Sequence, residues 1–119
     1  MVKRTYGCSI LVVAVLGGVS WLAYEEVNNR LIQFEIDAKS LAGSSEPEAR
    51  RLLGDPNSQI SYRDPERDMK LQELCTTYYG LEQRRIEDRA LVYVKFRRCA
   101  ILYLSKNGRI SDVSYGEVE

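Results

Sequence analysis

The strongest constraint on this chain is an apolar run near its N-terminus. Residues 6–24 read YGCSILVVAVLGGVSWLAY and contain no charged side chain. A helix of this length spans roughly 28 Å, which is close to the hydrocarbon thickness of a bilayer. Tyr6 stands at one end of the run, and Trp21 and Tyr24 stand at the other, as in the aromatic belts of membrane spans. The run therefore predicts a transmembrane helix within residues 1–24.

The charges that flank the run set its predicted orientation. Lys3 and Arg4 precede it, whereas Glu25 and Glu26 follow it. Because basic residues are retained on the cytoplasmic side of a membrane, we expect the N-terminus to be cytoplasmic. In a bacterial host this predicts an inner-membrane protein with a single span, whose residues 25–119 form a periplasmic domain.

Two other interpretations of the leader stay open. Residues 10–16 could be the core of a cleavable signal peptide, with the small residues Gly18 and Ser20 at its cleavage site. Cleavage would release residues 21–119 as a secreted or periplasmic protein. A lipoprotein signal is disfavoured, because the apolar core follows Cys8, whereas in a lipobox it precedes the cysteine.

The charge balance and the missing histidines exclude several classes of function. The chain has 17 basic and 17 acidic residues and no histidine. A neutral chain does not hold nucleic acid by bulk charge, so we expect no nucleic-acid partner. Without histidine the chain also lacks the commonest general base and metal ligand. Neither a metal nor a cofactor is therefore expected.

Two cysteines lie beyond the leader. A domain the size of residues 25–119 buries only about 60–65% of its unfolded surface, so a covalent link would stabilise it. In an oxidising compartment Cys75 and Cys99 are expected to form a disulfide. Two free thiols are the main alternative. A catalytic redox pair is disfavoured because the cysteines lack the C-x-x-C spacing.

The first half of this domain carries helical patterns. Residues 27–41 have an apolar stripe at helical spacing, which predicts either the first helix of the domain or a stalk that pairs with another helix. A second, short helix is expected over residues 46–53. Ser45 and Glu48 form a capping-box pattern at its start, and Gly54 supplies a left-handed stop at its end.

The second half carries strand patterns. Strands are predicted at residues 71–79, 90–96 and 99–105, and Ile60 lies in a further strand-like stretch. The Asn-Gly pair within residues 106–109 predicts a type I′ hairpin. The result is an α+β domain, in which two helices pack on one face of a three- or four-stranded antiparallel sheet as two layers.

The order of these elements resembles the SmpA/OmlA (BamE-like) domain over residues 28–116. The carrying motifs are LLGDP at residues 52–56, the pair Tyr78-Tyr79 and the last hairpin over residues 101–113. Members of that family are usually outer-membrane lipoproteins, and the best-known kind assists the machine that inserts β-barrels. The resemblance implies a small non-enzymatic domain of the bacterial envelope, linked to envelope or outer-membrane assembly. This chain departs from the family in lacking a proper lipobox.

Catalysis has little support in the residues. No G-x-S-x-G, Walker or H-E-x-x-H motif occurs. Two carboxylate pairs are candidates for acid–base chemistry, but helix capping accounts for Glu46 and Glu48, and an exposed turn accounts for Glu87 and Asp88. We therefore expect no enzyme and assign no catalytic residue.

Basic residues concentrate in the second half of the chain. Residues 81–109 hold eight basic and three acidic residues, whereas residues 25–80 hold seven basic and eleven acidic ones. Such a segment can bind lipid phosphates or an acidic protein, or it can be a solvated outer face. The candidate anion-binding residues are Arg84, Arg85, Arg89, Lys95, Arg97 and Arg98.

Two functions of different classes follow from these expectations. The first is a membrane-anchored envelope domain that mediates protein–protein or protein–lipid interaction. The second is a small secreted domain that binds or inhibits another protein after signal cleavage. The presence or absence of residues 1–24 in the mature protein distinguishes the two.

Overall fold

The computed structural model describes residues 25–118, so the predicted membrane span at residues 1–24 lies outside the described residues. The chain divides into two compact units, Met1–Ile32 and Gln33–Glu119. The described part of the first unit is helical. Within the described part of the chain, no helix is long and apolar enough to cross a membrane.

The second unit is an α+β domain, as predicted. Its four strands form one antiparallel sheet in the order β1-β2-β3-β4. In chain order the elements are α1 (residues 25–40, of which 33–40 lie in this unit), α2 (Glu46–Leu53), β1 (Ser58–Ser61), α3 (Arg67–Thr77), β2 (Arg89–Lys95), β3 (Arg98–Leu104) and β4 (Ile110–Glu117).

Helices cover both faces of the sheet, so the predicted two-layer arrangement is wrong. Leu91 and Tyr93 of β2 belong to a cluster with Phe34 of α1 and with α2. The alternate positions of β2, such as Val92, belong to a second cluster with Leu71 of α3. Because both faces are covered, β2 and β3 are buried at successive positions instead of every second one. The domain therefore has three layers.

The short second helix has the predicted bounds, but its start is held differently. α2 begins after Ser45 and ends before Gly54, whose φ of 81° would strain another residue. The Ser45 side chain makes no capping hydrogen bond, so the predicted capping box is absent. Instead, the backbone N–H of Glu46 donates to the carbonyl of Gly108 at 3.2 Å, which ties the helix start to the β3–β4 turn.

The predicted strand at residues 71–79 is wrong, because most of this segment forms α3. Its apolar residues Leu71, Leu74, Cys75 and Tyr78 are spaced as on one face of a helix. That face packs against the sheet in the second cluster. Burial of this helical stripe outweighs the strand preference of the neighbouring threonines and tyrosines.

The β3–β4 turn differs from the predicted type I′ hairpin. Among the described residues, Phe96 is the one non-glycine residue with positive φ, so Asn107 lacks the left-handed backbone that a type I′ turn needs. The N–H of Gly108 donates to the carbonyl of Ser105 at 3.0 Å, and Gly108 has a φ of 80°. The connection thus consists of residues 105–109, and its tight turn ends in the left-handed Gly108.

The predicted disulfide is also absent, since Cys75 and Cys99 are both free thiols. Cys99 is fully buried on β3, and Cys75 is half-buried on α3 within the same apolar cluster. Burial raises the pKa of Cys99 to about 12. Both thiols therefore pack as small apolar side chains, and Cys99 is uncharged at neutral pH.

Candidate functional site

The six predicted anion-binding residues do not form one patch. Arg89 and Lys95 stand at opposite ends of β2, which are about 20 Å apart at the usual rise of a strand. Lys95 pairs with Arg98 across the β2–β3 turn. Arg84 and Arg85 lie towards the Arg89 end, because the Arg84 N–H donates to Tyr103, whose partner on β2 is Ala90. Lys95, Phe96, Arg97 and Arg98 form the other end, which is called the hairpin end below.

Arg89 is engaged by an acidic residue of α2. Its guanidinium donates to both carboxylate oxygens of Glu46, with Nη1 lying 3.1 Å from Oε1. Arg50 also donates to Glu46, at 3.2 Å. The hydrogen bond from Arg89 lowers the pKa of Glu46 below its usual value. Arg89 thus joins α2 to β2 and is not available to bind a ligand.

Arg84 is likewise held by carboxylates. Its Nε lies 2.5 Å from Asp112 Oδ2, and its Nη2 pairs with Glu82. Three of the four carboxylates that were candidates for catalysis are also paired, and Glu87 is the exception among the described residues. Glu48 contacts Arg51, and Asp88 contacts Arg89 at 3.2 Å. These groups act as partners of arginines within the fold.

Arg85 lies in an open groove, called the Arg85 groove below. Its volume is about 480 Å³, and an adjoining depression of about 350 Å³ shares Tyr62 and Arg85 with it. The lining residues of the two parts are Tyr62, Arg67, Asp68, Gln83, Arg84, Arg85, Ile86, Glu87 and Lys106. Within residues 25–118, neither Arg85 nor Lys106 makes an ion pair.

An arginine–tyrosine stack forms one wall of the groove. The Arg67 guanidinium carbon lies 4.9 Å from the centre of the Tyr62 ring, and Nη1 donates to the Tyr62 carbonyl at 3.0 Å. The Tyr62 N–H donates to the carbonyl of Asp88 at 2.8 Å, which places this wall beside the Arg89 end of β2. The sequence predicts no site role for Tyr62 or Arg67, and their only signal along the chain is their position in a polar segment.

The opposite wall is fastened to the buried sheet. The hydroxyl of Tyr103 donates to the Glu82 carbonyl at 3.1 Å and accepts from the Arg84 N–H at 3.3 Å. The Glu82 N–H donates to Ser114 Oγ at 2.7 Å. Because burial raises the pKa of Tyr103, its hydroxyl stays protonated and keeps its donor role. These hydrogen bonds hold the backbone of residues 82–84, which lead to Arg85, against the sheet.

At the hairpin end, the three predicted cations have different surroundings. Lys95 Nζ lies 5.4 Å from the centre of the Phe34 ring. Arg98 donates to the Tyr115 hydroxyl at 3.1 Å. Its guanidinium also lies within 4 Å of the carboxylates of Glu35 and Glu117. Arg97 is exposed, and among the described residues its side chain has no hydrogen-bond or ion-pair partner.

The groove has the chemistry of a binding surface for anions. Arg85 and Lys106 present unpaired positive charge, and Tyr62 adds a flat apolar ring. Carboxylates or phosphates can pair with these cations. In residues 25–118, no group of three His, Cys, Asp or Glu residues is placed to hold a metal ion.

Comparisons of this chain with known proteins find no relative. No protein-family model, no curated protein and no solved structure matches the chain. The resemblance to the SmpA/OmlA family therefore stays a prediction that depends on short motifs. The function proposed below depends on the residues and geometry of this chain.

Proposed function

We propose that the chain is a non-enzymatic, membrane-anchored domain of the bacterial envelope that docks on an acidic partner protein. Residues 1–24 would hold it in the inner membrane, with the folded domain in the periplasm. The Arg85 groove would be the docking surface. The resemblance to the SmpA/OmlA family is consistent with a partner in envelope or outer-membrane assembly.

The observation that carries this proposal is the unpaired positive charge at the groove. Arg84 and Arg89 are held by carboxylates of the domain, whereas Arg85 and Lys106 are exposed and make no ion pair within residues 25–118. Asp68 and Glu87 border the groove and limit its net charge. A partner with several carboxylates in an extended segment would complement this arrangement.

The position of the groove suits a tethered domain. The groove lies beside the Arg89 end of β2, whereas Phe34, the second residue of the folded unit, contacts Lys95 at the opposite end. The folded unit therefore begins at the end away from the groove. A tether attached to its first residues would leave the groove accessible to a partner.

The expected binding is weak and depends on salt. Exposed ion pairs each contribute about 0–1 kcal/mol, and screening reduces them further at physiological ionic strength. Two unpaired cations and one aromatic ring thus support a weak, transient contact. Electrostatic attraction would mainly increase the association rate and the preference for acidic segments.

Nuclear magnetic resonance of the full chain in nanodiscs tests the proposal, with a short poly-glutamate peptide as the probe. We expect the amide signals of Tyr62, Arg85 and Lys106 to shift, and we expect the shifts to disappear in Arg85→Glu. The matched control is Arg97→Glu, which reverses an unpaired charge at the other end of the sheet. Equal effects of the two variants, or no shift at the groove, would contradict the proposal.

A further inference from the structure

The hairpin end carries an unusual amount of exposed aromatic surface. Tyr79 is 75% exposed and Phe96 is 74% exposed, which makes them the most exposed large apolar side chains among the described residues. Tyr62, for comparison, is 46% exposed. Single exposed apolar residues are common, so their placement decides whether they have a meaning.

The two aromatic residues lie at the same end of the sheet. Tyr79 and Glu117 exchange backbone hydrogen bonds of 2.6 and 2.9 Å, and Glu117 pairs with Arg98 at the start of β3. Phe96 is in the turn that immediately precedes Arg98. At the usual spacing of strands, Tyr79 is about 10 Å from Arg98, which Phe96 precedes by two residues. Together Tyr79 and Phe96 form an aromatic edge at the hairpin end.

The backbone of Phe96 has a conformation that is rare for this residue type. Its φ is 52°, in the left-handed region that favours glycine and asparagine. Phe96 and Arg97 alone connect β2 to β3, so the turn is tight. Packing within the described domain does not explain a phenylalanine here, because most of its ring is exposed. Strained residues of this kind often lie at functional sites.

Positive charge accompanies the aromatic edge. Lys95 and Arg97 are exposed, and neither makes an ion pair with an acidic side chain of the described residues. Arg98 lies between two carboxylates, 3.8 Å from Glu35 and 3.6 Å from Glu117. The turn itself thus presents two cations beside one aromatic ring. This pattern is typical of segments that contact anionic lipid head groups.

The chain enters the folded unit at this end. That unit begins at Gln33, and the ring of the next residue, Phe34, lies 5.4 Å from Lys95 Nζ. The folded unit therefore begins beside the hairpin. If residues 1–24 span a bilayer, the hairpin end is the part of the domain that the tether keeps close to the lipid surface.

We propose that the hairpin end rests on the anionic surface of the bilayer that holds residues 1–24. The Phe96 ring enters the boundary between head groups and acyl chains, and Tyr79 lies at the level of the head groups. Lys95 and Arg97 pair with lipid phosphates. This inference rests on the membrane anchor of the proposed function, and it fixes which end of the domain faces the membrane.

Fluorescence of the full chain in lipid vesicles tests this inference. Trp21 is the single tryptophan, so Trp21→Phe combined with Phe96→Trp places the one indole at the turn. The vesicles contain phosphatidylcholine and about a third phosphatidylglycerol, with and without brominated acyl chains. We expect the emission to shift to the blue and brominated lipid to reduce it about twofold, as for a side chain at the lipid interface.

The matched control places the tryptophan at the groove instead, by Tyr62→Trp in the same Trp21→Phe background. We expect no quenching there. Adding Arg97→Glu to the Phe96→Trp chain should reduce the quenching, because it removes the attraction to phosphate. An unquenched Phe96→Trp chain that still floats with vesicles would overturn this inference and leave the anchor intact. A chain that does not float with vesicles would overturn both.

Discussion

The guanidinium of Arg89 on β2 donates to both carboxylate oxygens of Glu46 on α2. The two side chains are only partly exposed, at 32% and 18%. This pair joins two elements that are 43 residues apart in sequence. It also holds Glu46 ionised, since the hydrogen bond from Arg89 lowers the pKa of that carboxyl group.

Replacing Glu46 by glutamine should therefore destabilise the domain. We expect the free energy of unfolding at neutral pH to fall by about 1–2 kcal/mol, because a charged hydrogen-bonded pair is lost. Chemical denaturation of the full chain measures the change. Glu48→Gln is the matched control, since Glu48 pairs with Arg51 on the exposed side of the same helix and should change stability little.

The same pair predicts a dependence on pH. A carboxyl group with a lowered pKa stabilises the fold above its unfolded pKa of about 4.3, and this contribution disappears as pH falls through the folded pKa. The stability difference between the wild-type chain and Glu46→Gln should therefore be constant near neutral pH and shrink in acid. A difference that grows as pH falls would contradict this assignment.

The two thiols should differ in reactivity. The pKa of Cys99 is raised to about 12 by burial, so almost no thiolate exists at neutral pH. We expect iodoacetamide to modify Cys75 slowly in the native protein and Cys99 only after unfolding. Peptide mass mapping measures both. Failure to label either cysteine in the unfolded, unreduced protein would show a disulfide and contradict the free thiols.

Gly116 is predicted to tolerate no side chain. A Cβ atom there would lie 2.8 Å from the Tyr79 carbonyl oxygen and 2.8 Å from the Leu81 nitrogen, both of which are backbone atoms. Gly116→Ala should lower the free energy of unfolding by about 1–3 kcal/mol through this clash. At Gly108 a Cβ atom would meet no neighbouring atom, and the positive φ is the one source of strain. Gly108→Ala should therefore lower the free energy of unfolding by less. Equal losses of stability in the two variants would contradict the close approach of the Tyr79 and Leu81 backbone to Gly116.

Removing the Tyr103 hydroxyl should loosen the groove. In Tyr103→Phe, the Glu82 carbonyl and the Arg84 N–H lose their buried partner. We expect stability to fall by about 1–2 kcal/mol and the amides of residues 82–84 to exchange hydrogen faster. Hydrogen exchange followed by mass spectrometry measures this. Unchanged exchange would show that the wall does not depend on Tyr103.

The elements with local signals could be predicted from the sequence. The bounds of α2 follow from Pro47 near its start and Gly54 at its end. The strands β2 and β3 follow from their apolar content. The sequence also indicates that both faces of these strands are buried, because residues 90–94 and 99–104 are continuous apolar runs. Such runs are typical of a strand covered on both sides.

α3 shows where local composition fails. The threonines and tyrosines of residues 76–79 favour a strand, but the spacing of Leu71, Leu74, Cys75 and Tyr78 has the helical period. Thr76 and Thr77 satisfy their hydroxyls on carbonyls of the preceding turn, at 2.8 and 2.9 Å. The tertiary contacts of the apolar stripe decide the outcome.

The candidate site was only partly predictable. The sequence marks Arg85 as one of six candidate cations. It does not distinguish Arg85 from Arg89, because the partner of Arg89 lies 43 residues away along the chain. The groove joins Tyr62, Arg85 and Lys106 from three separate segments. Only the fold brings these segments together, so a pattern along the chain does not reveal them.

The intact mass of the chain from bacterial membranes tests the central claim, a domain anchored by its own N-terminal segment. The account predicts a membrane-bound protein whose mass includes residues 1–24. A soluble product with the mass of residues 21–119 would contradict it and would favour the secreted binding domain instead.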